Sequence, residues 1–311
     1  MRMSLEAGLN KRLRHGSLIY GFKIFLINYR YFRVSFMVMK DIVLYELCKV
    51  VLDVLEKEKF LKENEVLNDL LGYDGLKIIQ NPEMFNFSLD STLLGDYATL
   101  NKNAKSIVDL CTGNAPVPLF LSLRSKNAQI IGVEIQEMSY DLAARNVAVN
   151  GLENRITIVQ GDLKGIHDRI GKYAHDVVTC NPPYFKVNPD SNLNKNDYLT
   201  IARHEVLATL DDVVKEASLL LKHGGRFAMV HRPDRLIDII ETFRKYKIEP
   251  KRMRLVYPRI NREANVLLIE GIKGGNQGNL RIENPLFVYE NETSLNYSQE
   301  ILDLFMLGKK E

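Results

Sequence analysis

A stretch rich in proline and aromatic residues follows an apolar segment near the middle of the chain. It reads TCNPPYF, residues 179–185, and comes directly after Val177 and Val178. A planar nitrogen, such as the exocyclic amine of a base or a side-chain amide, is a poor nucleophile because its lone pair is delocalised. Two hydrogen-bond acceptors aimed at its N–H protons would hold it in line and stabilise the charge that develops during attack. The stretch is therefore typical of enzymes that methylate such a nitrogen.

Four residues of this stretch are predicted to be catalytic. The side-chain oxygen of Asn181 and the backbone carbonyl of Pro182 are the two acceptors, and Pro183 stiffens the loop that presents them. Tyr184 offers a flat face on which a base can stack, with Phe185 as a second wall. No general base is needed, since the methylated amine loses its proton to water, so positioning supplies most of the rate. The alternative is a Pro-Pro turn that packs its aromatic residues into the core.

Three acidic residues each follow or end a predicted strand. Ligands of open α/β sheets bind outside the carboxyl ends of the strands, so these side chains are expected to meet at one edge. Asp109 would face a positive group, and Glu134 would accept two hydrogen bonds from a ribose diol. Asp162 would bond an adenine amine, with Leu163 against the ring face. Together they predict an adenosine with a positively charged tail, S-adenosyl-L-methionine, although acids in these positions also cap helices.

The turn after the first strand contains a single glycine. It reads Cys-Thr-Gly113-Asn114-Ala, which is not the GxGxxG pattern of dinucleotide sites. A pyrophosphate requires several glycines and a helix N-terminus, so an NAD-dependent oxidoreductase is disfavoured. One glycine still lets the backbone approach a cofactor that lacks phosphates. Gly113 and Asn114 therefore complete the predicted cofactor site.

Alternating strands and helices position these residues. Short strands rich in β-branched residues are predicted at 106–110, 129–133, 155–160, 175–180 and 225–231. Helices are predicted between and after them at 117–125, 137–150, 164–169, 207–222 and 234–247. This alternation indicates a doubly wound, mostly parallel sheet. A late pair of strands, 252–257 and 265–271, is separated by too little chain for a crossover helix and should form an antiparallel hairpin at one sheet edge.

The region before the sheet divides into two parts. Residues 1–40 form a basic extension, packed or disordered, within which Met37 or Met39 is an alternative start. Residues 41–75 are predicted to be a helical N-terminal segment, because apolar residues follow helical spacing from 41 to 71. The methyltransferase domain is predicted to span residues 76–311. It opens with a strand at 76–80 and a helix whose N-cap is Asp90 or Ser91.

Composition narrows the class of protein. The 311 residues are 46% hydrophobic and 26% charged, as in ordinary globular proteins. Three cysteines without a Cys-x-x-Cys pair disfavour both a disulfide framework and a zinc site, so we expect no metal and a reducing, cytoplasmic location. The apolar run at 17–39 is interrupted by Lys23, Arg30 and Arg33, so we expect no membrane span. We also expect a monomer.

The charge is unevenly distributed. Residues 1–40 hold eight Lys or Arg and one Glu, hence +7, so a total of +3 leaves −4 for residues 41–311. Any binding of a polyanion must therefore rest on local patches. Residues 244–262 contain eight basic residues with interleaved tyrosines, a composition typical of a phosphate-binding edge. We predict RNA contacts at Arg232, Lys251, Arg252 and Arg254; the alternative is an ordinary solvated face.

The sequence resembles the bacterial tRNA1(Val) (adenine(37)-N6)-methyltransferase family over residues 75–300. The blocks that carry the resemblance are LKIIQNPEMFNFSLDSTLLGDYA (76–98), DLCTGNAPVPLFLS (109–122), GVEIQ (132–136), DVVTCNPPYF (176–185), IARHE (201–205), LLKHGGRFAMVHRPDRL (220–236), EPKRMRLVYP (249–258) and EANVLLIEG (263–271). The resemblance implies a Rossmann-like class I methyltransferase fold with a seven-stranded, mostly parallel sheet. It also implies S-adenosyl-L-methionine as cofactor and tRNA as partner, with methylation of the adenine N6 just 3′ of the anticodon.

The resemblance also implies roles for individual residues. It assigns Asp109, Gly113 and Glu134 to the methyl donor, Asp162 to the donor's adenine, and the segment from Asn181 to Tyr184 to the target amine. Phe87 and Ser88 belong to a segment that would close over the donor. Two features depart from the family pattern: prolines at 116 and 118, and the long basic extension.

Other functions remain open at this point. A protein-glutamine N5-methyltransferase that acts on release factors also uses an Asn-Pro-Pro-Tyr loop and carries an N-terminal helical region. DNA adenine and ribosomal guanine methylation are further neighbours. A non-catalytic RNA-binding factor on the same fold would be expected to lose the donor pocket, yet Asp109, Glu134, Asp162 and Asn181 are all present.

Overall fold

A computed structural model describes residues 57–70, 75–84, 88–182 and 208–305 of the chain. All of them belong to one compact unit, residues 57–311. The strands are β1 Val66–Asp69, β2 Lys77–Gln80, β3 Ser106–Leu110, β4 Gln129–Glu134, β5 Ile156–Gln160, β6 His175–Cys180, β7 Leu221–His231, β8 Ile248–Tyr257, β9 Val266–Lys273, β10 Arg281–Ile282 and β11 Leu286–Phe287. The helices are α1 Leu89–Tyr97, α2 Pro116–Arg124, α3 Glu137–Val149, α4 His167–Ile170, α5 Leu210–Leu220, α6 Leu236–Lys245 and α7 Gln299–Phe305.

Within the described residues, one large sheet has the order β10-β8-β9-β7-β6-β3-β4-β5, with β11 also paired to β8. The strands β7, β6, β3, β4 and β5 run parallel to one another. Strand β9 is antiparallel to both β7 and β8. The predicted mostly parallel sheet with an antiparallel hairpin is therefore confirmed, but it has nine strands among the described residues rather than the predicted seven, because β10 and β11 add to it. Strand β9, the second strand of the hairpin, lies between β7 and β8. The short strands β10 and β11 pair with β8 at the outer edge of the sheet.

The central strands are apolar on both faces because helices cover both sides of the sheet. Ile107 and Val177 belong to one buried cluster together with residues of α1 and α2. Their chain neighbours Val108 and Val178 point the other way, into a cluster formed with α5 and α6. This arrangement is expected for parallel strands, which read as continuous apolar runs rather than as alternating ones. It leaves the carboxyl ends of the strands as the place where polar side chains gather.

The region before the sheet differs from its sequence-based prediction. Val66–Asp69 forms strand β1, antiparallel to β2, where a helix was expected up to residue 71. Leu67 lies opposite Ile79 and packs against the small core formed by Ile79, Met84 and Leu142. The strand pairing and this burial override the helical spacing of the segment. Most of the predicted helical segment, residues 41–56, lies outside the described residues, as do residues 1–40.

Several helices begin or end at residues other than those predicted. Helix α1 begins at Leu89, so its N-cap is Ser88 rather than Asp90 or Ser91. The helix predicted at 164–169 is the single turn α4, and the helix predicted to reach 222 ends at Leu220 because β7 already starts at Leu221. Among the described residues, no helix combines the length and apolarity that crossing a membrane demands.

Candidate active site

The β3–α2 loop, residues 111–115, has an unusual backbone. Cys111, Gly113 and Ala115 all have positive φ angles, of 55°, 57° and 67°. The Thr112 N–H donates to the Val133 carbonyl at 3.0 Å, and the Ala115 N–H donates to the Thr112 carbonyl at 2.9 Å. Positive φ is costly for residues other than glycine, so these bonds and the burial of Ala115 hold the loop tight. Pro116 then opens α2 at a position where its fixed φ suits the first helical turn.

Asp109 lies beneath this loop and is almost completely buried, with 1% of its surface exposed. Its two carboxylate oxygens accept hydrogen bonds from the hydroxyls of Thr112 and Thr179, both at 2.6 Å. Burial raises the pKa of Asp109 to about 7, because the hydroxyl bonds only partly offset the loss of hydration and Glu134 adds a second negative charge. Asp109 therefore links the ends of β3 and β6 and supplies a charge that is easily neutralised near neutral pH.

Glu134 ends β4 and faces the same loop. Its Oε2 accepts from the Gly113 N–H at 2.9 Å, and its Oε1 accepts from the Gln136 N–H at 2.9 Å. Burial raises the pKa of Glu134, and these backbone bonds act in the opposite direction. Each carboxylate oxygen has a second lone pair, so the orientation that the amides fix leaves acceptor capacity for a diol.

Asp162 and Leu163 follow β5 and differ in their surroundings. Asp162 is partly exposed; its carboxylate accepts from the Lys164 N–H at 2.9 Å and lies 3.4 Å from the Lys164 Nζ. Leu163 is buried in the same cluster as Val133 and Ile166. The structure thus brings Asp162 to the ligand edge of the sheet, whereas Leu163 contributes mainly to the core behind it.

The predicted amine-binding segment begins directly after β6. The Asn181 Nδ2 donates to the Ser91 Oγ of α1 at 3.3 Å, and Pro182 is buried. This bond holds the amide by its nitrogen, so its oxygen is the branch directed away from Ser91. The Ser88 carbonyl accepts from the Ser91 N–H at 3.2 Å, which places Ser88 one helical turn from Ser91, the residue that anchors Asn181. Pro183, Tyr184, Phe185 and Phe87 lie outside the described residues.

One side chain of the β3–α2 loop and one of α1 are buried and carry hydrogen-bonding atoms without a partner among the described residues. Asn114 is 5% exposed and Thr92 is 1% exposed. The Nδ2 of Asn114 and the Oγ1 of Thr92 find no hydrogen-bond partner within the part of the chain that the structure describes. An unsatisfied buried polar group costs about 1–3 kcal/mol, and a ligand with polar atoms would offset this cost. The amino-acid end of S-adenosylmethionine offers a carboxylate that suits the Asn114 amide, so the residues present fit this cofactor.

Each of the four predicted RNA contacts also has a contact within the protein. Arg232 is 40% exposed and lies 3.5 Å from Asp234. Lys251 donates to the carbonyls of Asn276 and Gly278, at 2.5 and 2.6 Å. These two bonds tie down the loop that follows β9.

Arg252 and Arg254 are engaged by acids from later parts of the chain. Arg252 pairs with Glu283 at 2.9 Å and stacks over the Tyr97 ring at 4.4 Å. Arg254 pairs with Glu300 at 2.6 Å. The structure therefore gives Lys251, Arg252 and Arg254 contacts within the protein, which differ from the ordinary solvated face that was the alternative to RNA binding. The sequence carried no signal for them, since Glu283 and Glu300 are distant along the chain.

Sequence reasoning also missed four residues that shape the site. Thr112 and Thr179 lie inside the quoted motifs. The spacing of three residues from Asp109 was an available signal for Thr112, whereas Thr179 meets Asp109 only through the pairing of β3 with β6. The sequence predicts Ser91 only as a possible helix cap, whereas in the structure it is a partner of Asn181. Asn146 of α3, which is fully buried and bonds the Asn114 carbonyl at 2.9 Å, had no signal beyond its place on an amphipathic helix.

Comparison with known proteins decides the family. The methyltransferase small domain model matches residues 76–249, more than half of the chain. The protein belongs to the methyltransferase small domain family. It is an S-adenosylmethionine-dependent methyltransferase of the Rossmann-like class I fold, which confirms the predicted fold, enzyme class and cofactor.

Known relatives of this methyltransferase share the name that the sequence suggested. A tRNA1(Val) (adenine(37)-N6)-methyltransferase of Porphyromonas gingivalis strain W83 is 29% identical over 208 residues, which cover 65% of this chain and 80% of that protein. One of Flavobacterium psychrophilum is 24% identical over 217 residues, covering 65% and 91%. The predicted family resemblance is therefore confirmed.

Solved structures agree on the fold. A predicted O-methyltransferase, protein Atu636 of Agrobacterium tumefaciens, aligns with a TM-score of 0.56 at 20% identity over 70% of this chain and 96% of that one. At this identity the likeness concerns the fold alone.

Proposed function

We propose that this methyltransferase transfers a methyl group to the exocyclic N6 of an adenine in tRNA, the adenine at position 37 of a valine tRNA. The observation that carries the proposal is the placement of Asn181 and Pro182 at the end of β6. There Asn181 is anchored to Ser91 at 3.3 Å, and β6 lies directly beside the strand that carries Asp109. The names of the relatives from Porphyromonas gingivalis and Flavobacterium psychrophilum support tRNA as the substrate class.

Several residues would hold the methyl donor. Bound S-adenosylmethionine supplies a methyl group on a positively charged sulfur. Glu134 would accept hydrogen bonds from the ribose hydroxyls, and Asp162 would accept one from the adenine amine. The Asn114 amide would donate a hydrogen bond to the amino-acid carboxylate. Asp109, buried and already bonded by two hydroxyls, would act through its charge rather than by direct contact. Gly113 lets the backbone approach, and Phe87 and Ser88 would cover the donor.

The acceptor side rests on hydrogen bonding to the amine. The Asn181 oxygen and the Pro182 carbonyl would accept the two N–H protons, which lowers the cost of turning a planar nitrogen toward a tetrahedral one. Pro183 would keep the Pro182 carbonyl in a fixed direction, and Tyr184 would stack on a base turned out of the RNA. The proton that the methylated amine releases passes to water. Positioning, rather than acid–base catalysis, therefore provides most of the rate.

The contact with the RNA is proposed at Arg232, whose side chain is 40% exposed, about twice the exposed fraction of Arg252 or Arg254. Lys251, Arg252 and Arg254 are left out of the proposed interface because they bind distant segments of the chain, whereas the Arg232 contact with Asp234 is local. A cytoplasmic location follows from a tRNA substrate.

The test is product identification. The purified full-length protein is incubated with isotopically labelled S-adenosylmethionine and unmodified valine tRNA, and the RNA is digested to nucleosides for mass spectrometry. We expect label in N6-methyladenosine, and none when the transcript carries guanine at position 37. A second reaction contains release factor in place of tRNA. Label confined to a glutamine of the release factor would contradict the proposal.

A further inference from the structure

Two asparagines of the α3 region bind one edge of strand β2. Asn146 accepts from the Ile79 N–H at 2.6 Å and donates to the Ile79 carbonyl at 3.2 Å. Asn150 accepts from the Lys77 N–H at 2.7 Å and donates to the Lys77 carbonyl at 2.7 Å. The two asparagines are one helical turn apart and so share a face. Each side-chain amide therefore pairs with a backbone unit as a neighbouring strand would.

These bonds use the side of β2 that faces away from β1. The N–H and C=O groups of successive strand residues point to opposite sides, so Lys77 and Ile79 present theirs to α3, while Ile78 and Gln80 present theirs to β1. An open strand edge is thereby closed by side chains rather than by a third strand. Strand β2 is fixed to α3 without belonging to the large sheet.

Asn146 makes one further bond that concerns the cofactor site. Its Nδ2 also donates to the Asn114 carbonyl at 2.9 Å, so both Nδ2 protons and the Oδ1 are used. Asn146 is fully buried, which makes each of these bonds costly to lose. Asn150 bonds Lys77 and the Asn146 carbonyl, and within the described ranges it makes no hydrogen bond to the β3–α2 loop.

We infer that Asn146 is a positioning residue for the methyl donor. By holding the Asn114 backbone, it directs the buried Asn114 amide, which has no partner in the described part of the chain, toward the acceptor atoms of the donor. The same side chain holds Ile79, so binding of the donor is coupled to the order of β2. The inference rests on S-adenosylmethionine as cofactor and is independent of which nitrogen receives the methyl group.

The coupling extends toward the amine-binding residues. The chain runs from β2 to α1, and Ser91 of α1 bonds Asn181. Asn146 therefore lies between the loop that receives the donor and the segment that leads to the catalytic amide. Because coupling between two sites is reciprocal, tightening β2 should also strengthen donor binding.

The first test compares matched variants of the full-length chain. Binding of S-adenosylhomocysteine and S-adenosylmethionine is measured by isothermal titration calorimetry for Asn146→Ala and Asn150→Ala. We expect affinity to fall about tenfold or more for Asn146→Ala and less than about twofold for Asn150→Ala. The reason is that Asn146 makes a buried hydrogen bond to the β3–α2 loop, and Asn150 makes none to it among the described residues. Equal losses in both variants, or none in Asn146→Ala, would overturn the inference.

A double-mutant cycle separates positioning from general stability. If Asn146 acts through Asn114, the double variant Asn114→Ala/Asn146→Ala should bind S-adenosylhomocysteine no more weakly than Asn114→Ala alone. Additive losses of affinity would show that Asn146 does not act through Asn114.

The unmodified protein provides a readout that does not depend on the variants folding. Hydrogen–deuterium exchange is followed with and without S-adenosylhomocysteine. We expect ligand binding to slow exchange at residues 77–80 together with residues 112–115. Protection of 112–115 with unchanged exchange at 77–80 would contradict the coupling. Failure to methylate tRNA would leave these results unaffected, so the two proposals fail separately.

Discussion

At the scale of single residues, the raised pKa of Asp109 predicts that donor binding depends on pH. Its pKa is raised to about 7 by burial, so in the free protein the carboxyl is largely protonated below that pH and ionised above it. A positively charged donor favours the ionised form, so binding below the pKa must also release a proton. We expect the affinity for S-adenosylmethionine to rise with pH up to about 7 and then level off.

The measurement is a series of dissociation constants across this range, with matched controls. S-adenosylhomocysteine lacks the positive sulfur, so its affinity should depend less on pH. Asp109→Asn should bind S-adenosylmethionine more weakly and with a flat profile. A wild-type profile as flat as that of Asp109→Asn would refute the role of this charge.

The same raised pKa also predicts how the stability of the folded protein changes with pH. Folding raises the pKa of Asp109 above the ordinary value of 3.8, so the folded protein binds more protons than the unfolded chain between those limits. The contribution of Asp109 to stability is therefore full below pH 3.8 and is lost as pH rises through about 7. In Asp109→Asn this part of the pH dependence of unfolding should vanish in urea titrations.

Asn181 and Ser91 form a second prediction at this scale. Asn181→Ala should lower kcat by about 10²- to 10³-fold, because one of two acceptors for the developing charge is lost. Affinity for S-adenosylhomocysteine should stay near that of the wild type. Ser91→Ala removes the anchor of the Asn181 amide but not its oxygen, so its loss in kcat should be smaller. Single-turnover assays distinguish these outcomes; a full rate in Asn181→Ala would exclude the mechanism.

At the scale of elements, α1 and α2 approach each other closely at Gly95. A Cβ at this position would lie 2.8 Å from the Cβ of Phe120, an atom next to the backbone that cannot move aside. Gly95→Ala should therefore lower the free energy of unfolding by about 1–3 kcal/mol, despite the better helix propensity of alanine. Urea denaturation measures this change. Gly113→Ala provides a contrast, since its Cβ would meet nothing within 4 Å and its cost would come from the positive φ alone. An unchanged midpoint in Gly95→Ala would show that the helices can separate freely.

Elements with local signals were predictable from the sequence, and those defined by distant partners were not. The strands β3 to β6 are short β-branched runs bounded by turns, and their predicted positions agree with the structure to within about a residue. Strand β1 exists because Leu67 pairs opposite Ile79, which no local pattern reveals. The acids Asp109, Glu134 and Asp162 were identifiable because each stands at a strand end. The asparagine bonds to β2 required knowing that α3 lies beside it.

At the scale of the whole molecule, the distribution of charge limits how RNA is bound. Residues 41–311 carry a net charge of −4, so attraction to phosphate must come from individual exposed cations or from residues 1–40. Arg232→Ala should weaken binding of valine tRNA and reduce the slope of log K against log salt by about one. Filter binding at several salt concentrations gives this slope.

Arg254 provides the matched comparison with Arg232, because its guanidinium forms an ion pair within the protein. It pairs with Glu300 and is 19% exposed, so Arg254→Ala should leave the salt slope unchanged and lower thermal stability. The reverse pattern, with a reduced slope in Arg254→Ala and none in Arg232→Ala, would assign the RNA contact to β8 instead.

The order of strands in the sheet has a consequence for the geometry of transfer. Asn181 follows β6, Asp109 lies on β3 and Glu134 ends β4, and these three strands are immediate neighbours. Adjacent strands are about 4.8 Å apart, so the amide and the more distant carboxylate are separated sideways by about 10 Å. Backbone hydrogen bonds between the strands fix this sideways distance. With Glu134 on the ribose of the donor and Asn181 on the target amine, as proposed, the two reactants together are expected to span that width.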